Sequence, residues 1–273
     1  MRDFLRNPVG VVGLVLLMIV LVVALFGPWL APYDPQLFHA PSRLQGPSAE
    51  FWLGTDQYGR DLLSRILHGA PSTVFFGLGA TALGVGAGSV IGVVAGVAGG
   101  KVDSIIMRVL DGFLAMPELL FTLLIVTFLG GGMTQAMLAV AVTFAPGMAR
   151  IARSAVLSVR TREYVLAAIA RGESRMWIVG REVLPNALGP IIVEATIRVS
   201  FAIMIGATLG FLGLGAQPPS TEWGLMVSEA RQFMFRNPWC VVVPGVAIAI
   251  TAMGFNLFGD ALRDAFDPKR SRS

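Results

Sequence analysis

The sequence predicts an all-α integral membrane protein with six transmembrane helices and both termini on the cytoplasmic side. Three observations lead there. Charged residues make up 14% of the 273-residue chain and apolar residues 55%, and mean hydropathy is +0.71; soluble domains carry about 25% charged residues. Six segments are apolar over roughly the 20 residues that a helical span needs. The Lys and Arg residues between them fall unevenly on the two sides.

The first apolar run covers 9–30, behind a basic flank from Met1 to Arg6. It is too long for the apolar part of a signal peptide. Pro28, Trp29, Pro32 and Tyr33 follow it in place of a small-residue cleavage site, so it reads as a retained anchor with interfacial aromatics at its outer end. A polar, proline-bearing outer loop follows, from Ala31 to Gly69. Leu62, Leu63, Ile66 and Leu67 give its second half amphipathic spacing, for a helix on the membrane surface or capping the bundle.

Span two, 72–98, is followed by spans three and four at 112–130 and 134–152. The triplet Gly130–Gly132 makes a tight turn between these two. In span two, Gly84, Gly88, Gly92, Gly96 and Gly100 repeat every four residues along one helix face. Small residues at that spacing serve either internal packing or a seam to a moving or partner helix. Spans five and six, 188–213 and 239–260, complete the set.

With the N-terminus inside, five of the 21 Lys and Arg residues (Arg43, Arg60, Arg65, Arg231, Arg236) face out. Arg198 falls within a span, and the other 15 face the cytoplasm, the bias expected of that orientation. The net charge of +4 belongs to this pattern and calls for no nucleic-acid partner.

Several chemistries are excluded. Cys240 stands alone, so there is no internal disulfide or cysteine metal cluster. His39 and His68 form no metal-ligand spacing. Gly100-Lys101 resembles the end of a phosphate loop, but Val102 follows where Ser or Thr is required and Ala95 replaces the first glycine. No metal, catalytic or cofactor-binding residue is predicted.

Ionisable residues within spans are functional candidates by default. Glu194 and Arg198 stand four apart in span five, as a structural pair near the inner end or as part of a polar path. Asp103, Asp111 and Asp260 read as helix-end and loop charges.

The segment Tyr164–Ala187 is polar and helix-forming between two apolar runs, and the charge bias places it in the cytoplasm. It reads as one helix to about Gly172 and another ending at Pro185. Ala167 and Ala168 present a small, smooth surface, and Met176 to Val179 an apolar patch. Residue chemistry alone allows two uses: docking in a partner's groove, or lying on the anionic inner leaflet.

Leu166, Ala167, Ala168, Gly172, Leu184 and Pro185 resemble the EAA loop of ABC-importer permeases, with Leu166 in place of the pattern's glutamate. The nearest acids are Glu163 and Glu173. The outer-loop run Leu53, Gly54, Thr55, Asp56, Gly59, Arg60, Asp61, Ser64, Arg65 is similar to the signature of the dipeptide/oligopeptide/nickel branch. The loop from Phe211 to Arg231 and the tail from Gly259 to Pro268 are similar to that branch as well, and "PYDP" resembles its C-type subunit. Gly206 stands where many relatives carry a glutamate.

The resemblance implies a type I importer (MetI-like) permease fold. Residues 1–70 would form an N-terminal helix plus outer loop, and 71–273 a five-helix core with a cytoplasmic coupling loop at about 153–187. It implies a homologous B-type permease partner, two cytoplasmic ATPases that bind ATP and Mg, an extracytoplasmic peptide-binding protein, and a prokaryotic inner membrane. The coupling loop would use Glu163, Leu166, Ala167, Ala168, Gly172, Glu173, Trp177, Leu184 and Pro185, and Glu194, Arg198 and Gly206 would touch the pathway. The cargo would be dipeptides or oligopeptides, with nickel chelates or another small solute as the alternative. A lone ion-coupled carrier needs internal repeats or ion ligands that the sequence does not display.

Overall fold

The computed structural model describes residues 8–266. The basic flank Met1–Arg6 and the basic tail residues Lys269, Arg270 and Arg272 lie outside them. Ten α-helices make up the described chain: α1 Pro8–Leu30, α2 Leu62–Ala98, α3 Gly100–Leu114, α4 Glu118–Leu129, α5 Met133–Arg160, α6 Glu163–Ala170, α7 Arg175–Ile178, α8 Leu184–Phe211, α9 Trp223–Ala230 and α10 Trp239–Phe266. Five helical stretches are long and apolar enough to cross a membrane, and the α3–α4 pair makes a sixth if counted as one broken span.

α1 is apolar on all sides, and its 23 residues reach about 35 Å, enough for the ~30 Å hydrocarbon core. Only one stripe of it is buried: Gly10, Gly13, Leu17, Val20 and Gly27. That stripe meets α10 and α2. A Cβ on Gly13 would stand 2.7 Å from Leu257 Cβ, and one on Gly27 2.6 Å from the Leu67 carbonyl.

α2 starts ten residues before the predicted second span. The amphipathic stretch at Leu62–Leu67 is therefore the outer end of that span and not a separate surface helix. Asp61 caps it, accepting the Ser64 backbone N–H at 2.8 Å. The glycine face of α2 packs inside the chain: Gly84 and Gly96 leave room for only 2.8 Å to Ala141 O and 2.9 Å to Val156 Cγ1 of α5. Gly88 and Gly92 sit closer still to the carbonyls of Ala145 and Ala149. This internal contact is the packing alternative for the stripe. Gly100 lies beyond it, on α3.

The predicted third span, 112–130, is not one helix. α3 and α4 meet at a break spanning Ala115–Pro117 and are bent by 89°. Pro117 has no N–H to donate and biases Met116 away from helical backbone. α4 alone has 12 residues, about 18 Å. Asp103 and Asp111 sit on α3 and pair with Arg153 and Arg150 of α5.

The remaining long helices outrun their predicted bounds. α5 continues to Arg160, and α10 passes Asp260 to Phe266. The helical path into α8 starts at Arg175 and runs 37 residues to Phe211, through a π turn at Val179–Val183. Pro185 therefore terminates nothing. It occupies the first turn of α8, where its missing N–H costs little.

Candidate functional site

Three groups of residues singled out by the sequence fall at three levels of the molecule. On the outer side, Asp56 organises a buried ionic cluster. Its Oδ1 accepts the backbone N–H groups of Tyr58 at 2.8 Å and Arg60 at 2.9 Å. Its Oδ2 accepts Arg60 Nε at 2.6 Å and Arg65 Nη1 at 2.7 Å. Both arginines also reach Glu229 at 3.3 Å, a partner on α9 that the outer-loop motif does not contain. Gly54 and Gly59 hold positive φ, +84° and +81°, which bends the loop around this carboxylate. Thr55 is buried, and its carbonyl accepts Asn237 Nδ2 at 3.2 Å and faces Cys240 Sγ at 3.3 Å. The outer loop is thereby fastened to the start of α10.

The two histidines serve the same region. The His39 ring lies 3.2 Å from the Gly59 carbonyl, and the His68 ring 2.9 Å from the Ser64 carbonyl. Glu222 caps α9, accepting the N–H groups of Gly224 and Leu225 at 2.9 Å each. Burial raises its carboxyl above the usual carboxylate range, against the opposing pull of those two donors.

Between the outer and cytoplasmic ends, Arg198 lies near the middle of α8, about 20 Å from each end of that helix. Its Nε meets Glu194 at 3.1 Å and its Nη1 meets Glu118, in the first turn of α4, at 2.9 Å. The guanidinium also stands 4.9 Å from the Phe144 ring centre. The sequence paired Glu194 with Arg198, as a couple near the inner end or as part of a polar path, and missed Glu118, which is 80 positions from Arg198. Arg198 and Glu118 border a cleft of about 230 Å³, with Phe113, Phe121 and Gly147; Glu194 lies outside its lining. Gly206 is not part of it. It is buried against Phe76, whose ring a Cβ would strike, so this position belongs to the apolar core.

On the side that the arginine bias assigns to the cytoplasm, α6 and α7 fold onto the end of α5. Gly172, at φ +79°, ends α6: its N–H reaches the Ile169 carbonyl at 2.9 Å, and that of Glu173 reaches Ala168 at 3.2 Å. Ser174 caps α7 through the Trp177 N–H. The two alanines do not form one smooth surface. Neighbouring helical residues diverge by about 100°, so Ala167 is exposed while Ala168 is fully buried with Val156, Val165, Ile178 and Val183. The Met176–Val179 patch divides likewise: Met176 is 84% exposed, Ile178 is buried, and Trp177 is half-buried against the cluster. Glu163, Leu166 and Pro185 face outward, Leu184 is half-buried, and half-buried Glu173 stands 3.8 Å from Arg171.

A bundle of apolar helices with a charged cleft between them and an anchored helical segment at one end has the architecture of a multi-pass membrane protein. Among the described residues, no group of three or more His, Cys, Asp or Glu could hold a metal ion.

Comparison with known proteins gives the particular family. Residues 88–272 match the binding-protein-dependent transport system inner membrane component family, and residues 1–47 match the N-terminal transmembrane domain of oligopeptide transport permease C. The chain is 44% identical over 263 residues to the probable D,D-dipeptide transport system permease protein DdpC of Escherichia coli K12, covering 96% of this chain and 88% of that one. It is 41% identical over 274 residues to the di/tripeptide transport system permease protein DppC of Pseudomonas aeruginosa, covering 98% and 90%. An inward-facing structure of the MetNI methionine ABC transporter shares the fold, with a TM-score of 0.62 at 22% identity over 74% of this chain and 97% of that one. The chain belongs to the binding-protein-dependent transport system inner membrane components, in the permease C branch, as a non-catalytic, multi-pass subunit of the prokaryotic inner membrane.

Proposed function

We propose that the chain is one of two homologous permease subunits of an ATP-driven importer of dipeptides or short oligopeptides. Half of the pathway would be built from α4, α5 and α8. The observation that carries the coupling role is the division of α6–α7 into a locked inner face and an exposed apolar outer face. Ala168, Val165 and Ile178 anchor the segment, while Leu166, Ile169 and Met176 are each more than half exposed beyond the end of α5. Such a surface suits a groove on a cytoplasmic ATPase, two of which would bind the ATP and Mg. With Leu166 in the acid's place, the contact rests on shape and apolar area. The peptide cargo is supported by the two relatives, whose names specify dipeptides and di/tripeptides. An extracytoplasmic binding protein would deliver it. Residues 1–70 would be a unit appended to the permease core, 71–273, with α2 running unbroken through that boundary.

The test uses the assembled transporter, purified through a tag on this chain. Ala167→Arg and Met176→Arg are expected to lower peptide-stimulated ATP hydrolysis at least about tenfold, the scale of one contact worth ~1.4 kcal/mol or more. Leu166→Glu is expected to assemble and couple normally. Wild-type stimulation in an assembled Ala167→Arg complex would overturn the docking surface. Peptide uptake by this chain in vesicles without any ATPase would overturn the whole reading.

A further inference from the structure

α3 runs across the bundle and not along it. α4 stands beside α5, with Thr122 Oγ1 donating to Thr143 Oγ1 at 3.0 Å, and α3 is turned 89° from α4. Two ion pairs fix where α3 crosses. Asp103 and Asp111, eight residues apart on α3, meet Arg153 and Arg150, only three apart on α5. Those arginines mark a level in the membrane. Residues 133–149 of α5 hold no charge, and Arg150 and Arg153 are the first charges after them. α3 therefore lies where the apolar part of a span gives way to its charged cytoplasmic end.

The exposed sides of α3 differ in kind. Val102, Ile105 and Val109, each at least half exposed, form one flank. Lys101, Ser104 and Arg108, also exposed, form the other. At about 100° per residue the two flanks lie on either side of the buried Asp103 and Leu110 face. A helix divided in this way suits the boundary between acyl chains and headgroups.

Beside the apolar flank is a cleft of about 390 Å³ with only apolar residues in its lining. Leu110 and Phe113 of α3 line it with Leu83 of α2, Phe121 of α4, and Leu138 and Pro146 of α5. Both α5 residues belong to the uncharged stretch, on the membrane side of Arg150. A polar solute finds no hydrogen-bond partner among such side chains. Acyl chains already surround the spans at this level, so the cleft continues a surface that lipid covers. Lys101 and Arg108 add positive charge at the level of the phosphates, which favours an anionic headgroup.

We propose that α3 lies in the interface of the cytoplasmic leaflet and holds an anionic phospholipid, with an acyl chain in the cleft and the phosphate on the Lys101–Arg108 flank.

The experiment uses the complex purified through a tag on this chain, in nanodiscs of phosphatidylglycerol and phosphatidylcholine, with Cys240 replaced by alanine. Spin labels are placed singly at positions 104, 105, 108 and 109. Labels at 105 and 109 are expected to collide with oxygen over a water-soluble nickel chelate, and labels at 104 and 108 the reverse. Nickel-favoured collisions at 105 and 109, or shielding of both from both reagents, as a covering protein segment gives, would overturn the interfacial placement. In unlabelled complex, phosphatidylglycerol with a diazirine at the end of its acyl chain is expected to mark residues 138–146 at least about fivefold more than the phosphatidylcholine probe, the weight of one basic residue at an anionic surface. Lys101→Gln with Arg108→Gln is expected to abolish that preference. Equal marking by the two lipids, no mark at 138–146, or a preference unchanged in the double variant would each overturn the lipid site.

Discussion

Replacing Asp56 by Ala removes four hydrogen bonds at once, three of them buried: two to backbone N–H groups and one to each of two arginines. Arg65 then retains only Glu229, at 3.3 Å, while Arg60 keeps Glu229 at 3.3 Å and Gln36 Oε1 at 3.4 Å. Arg65 is 1% exposed and cannot turn to water. Breaking a buried ion pair by removing one partner costs about 3–5 kcal/mol, because the surviving charge stays desolvated. For a chain of this size that lowers the melting temperature by about 10 °C. The assay is thermal unfolding in detergent, read by size-exclusion recovery of the monodisperse protein. Asp56→Ala with Arg65→Met also removes the stranded cation and is expected to restore at least half of the loss. A drop of less than about 2 °C in the single variant, or a double variant equal to the sum of the two singles, would refute the reasoning.

Two further outcomes follow from local geometry. Gly172→Ala meets no atom within 4 Å, so its cost is the left-handed backbone alone, about 1 kcal/mol; Gly172→Asn is expected to cost less, and equal melting temperatures for the two would count against a conformational role. The folded chain holds the Glu222 proton more tightly than the unfolded chain, because burial raises that carboxyl. Stability from this group is full below the unfolded value, about 4.3, and is lost as pH rises from there through the raised folded value. Glu222→Gln keeps an acceptor for the α9 cap, so its melting temperature is expected to gain on wild type as pH rises from 4 to 8. A difference that is constant over that range would contradict this.

The spans were legible in the sequence because a helix in lipid has to hide its backbone and show apolar side chains, and composition reports that directly. The break at Pro117 was masked because apolar residues flank it closely on both sides, Phe113 to Met116 before it and Leu119 to Phe121 after it. The outer end of α2 was masked by the opposite effect: Asp61, Ser64, Arg65 and His68 make it polar, since Ser64 and Arg65 meet the outer loop and His68 turns back on its own helix. Motif spacing found Asp56, Arg60 and Arg65 together but could not supply Glu229, 164 positions beyond Arg65. Glu118 escaped for the same reason, while Glu194 was found because four residues make one helical turn. Ala167 and Ala168 were read as one surface because adjacency in sequence is not adjacency on a helix.

The uninterrupted helical path from Arg175 to Phe211 has a mechanical meaning. Met176, outside the membrane, and Arg198, at the cleft, are joined by one rod about 33 Å long with no loop between them. Its hydrogen-bond ladder is altered at two places between them: the π turn at Val179–Val183, where it widens by one residue, and Pro190, which has no N–H to donate. A rod transmits tilt and torsion without delay and without slack. If the proposed docking surface is pushed, the displacement would reach the Arg198–Glu118 contact through this rod, reduced by whatever bend the π turn and Pro190 absorb.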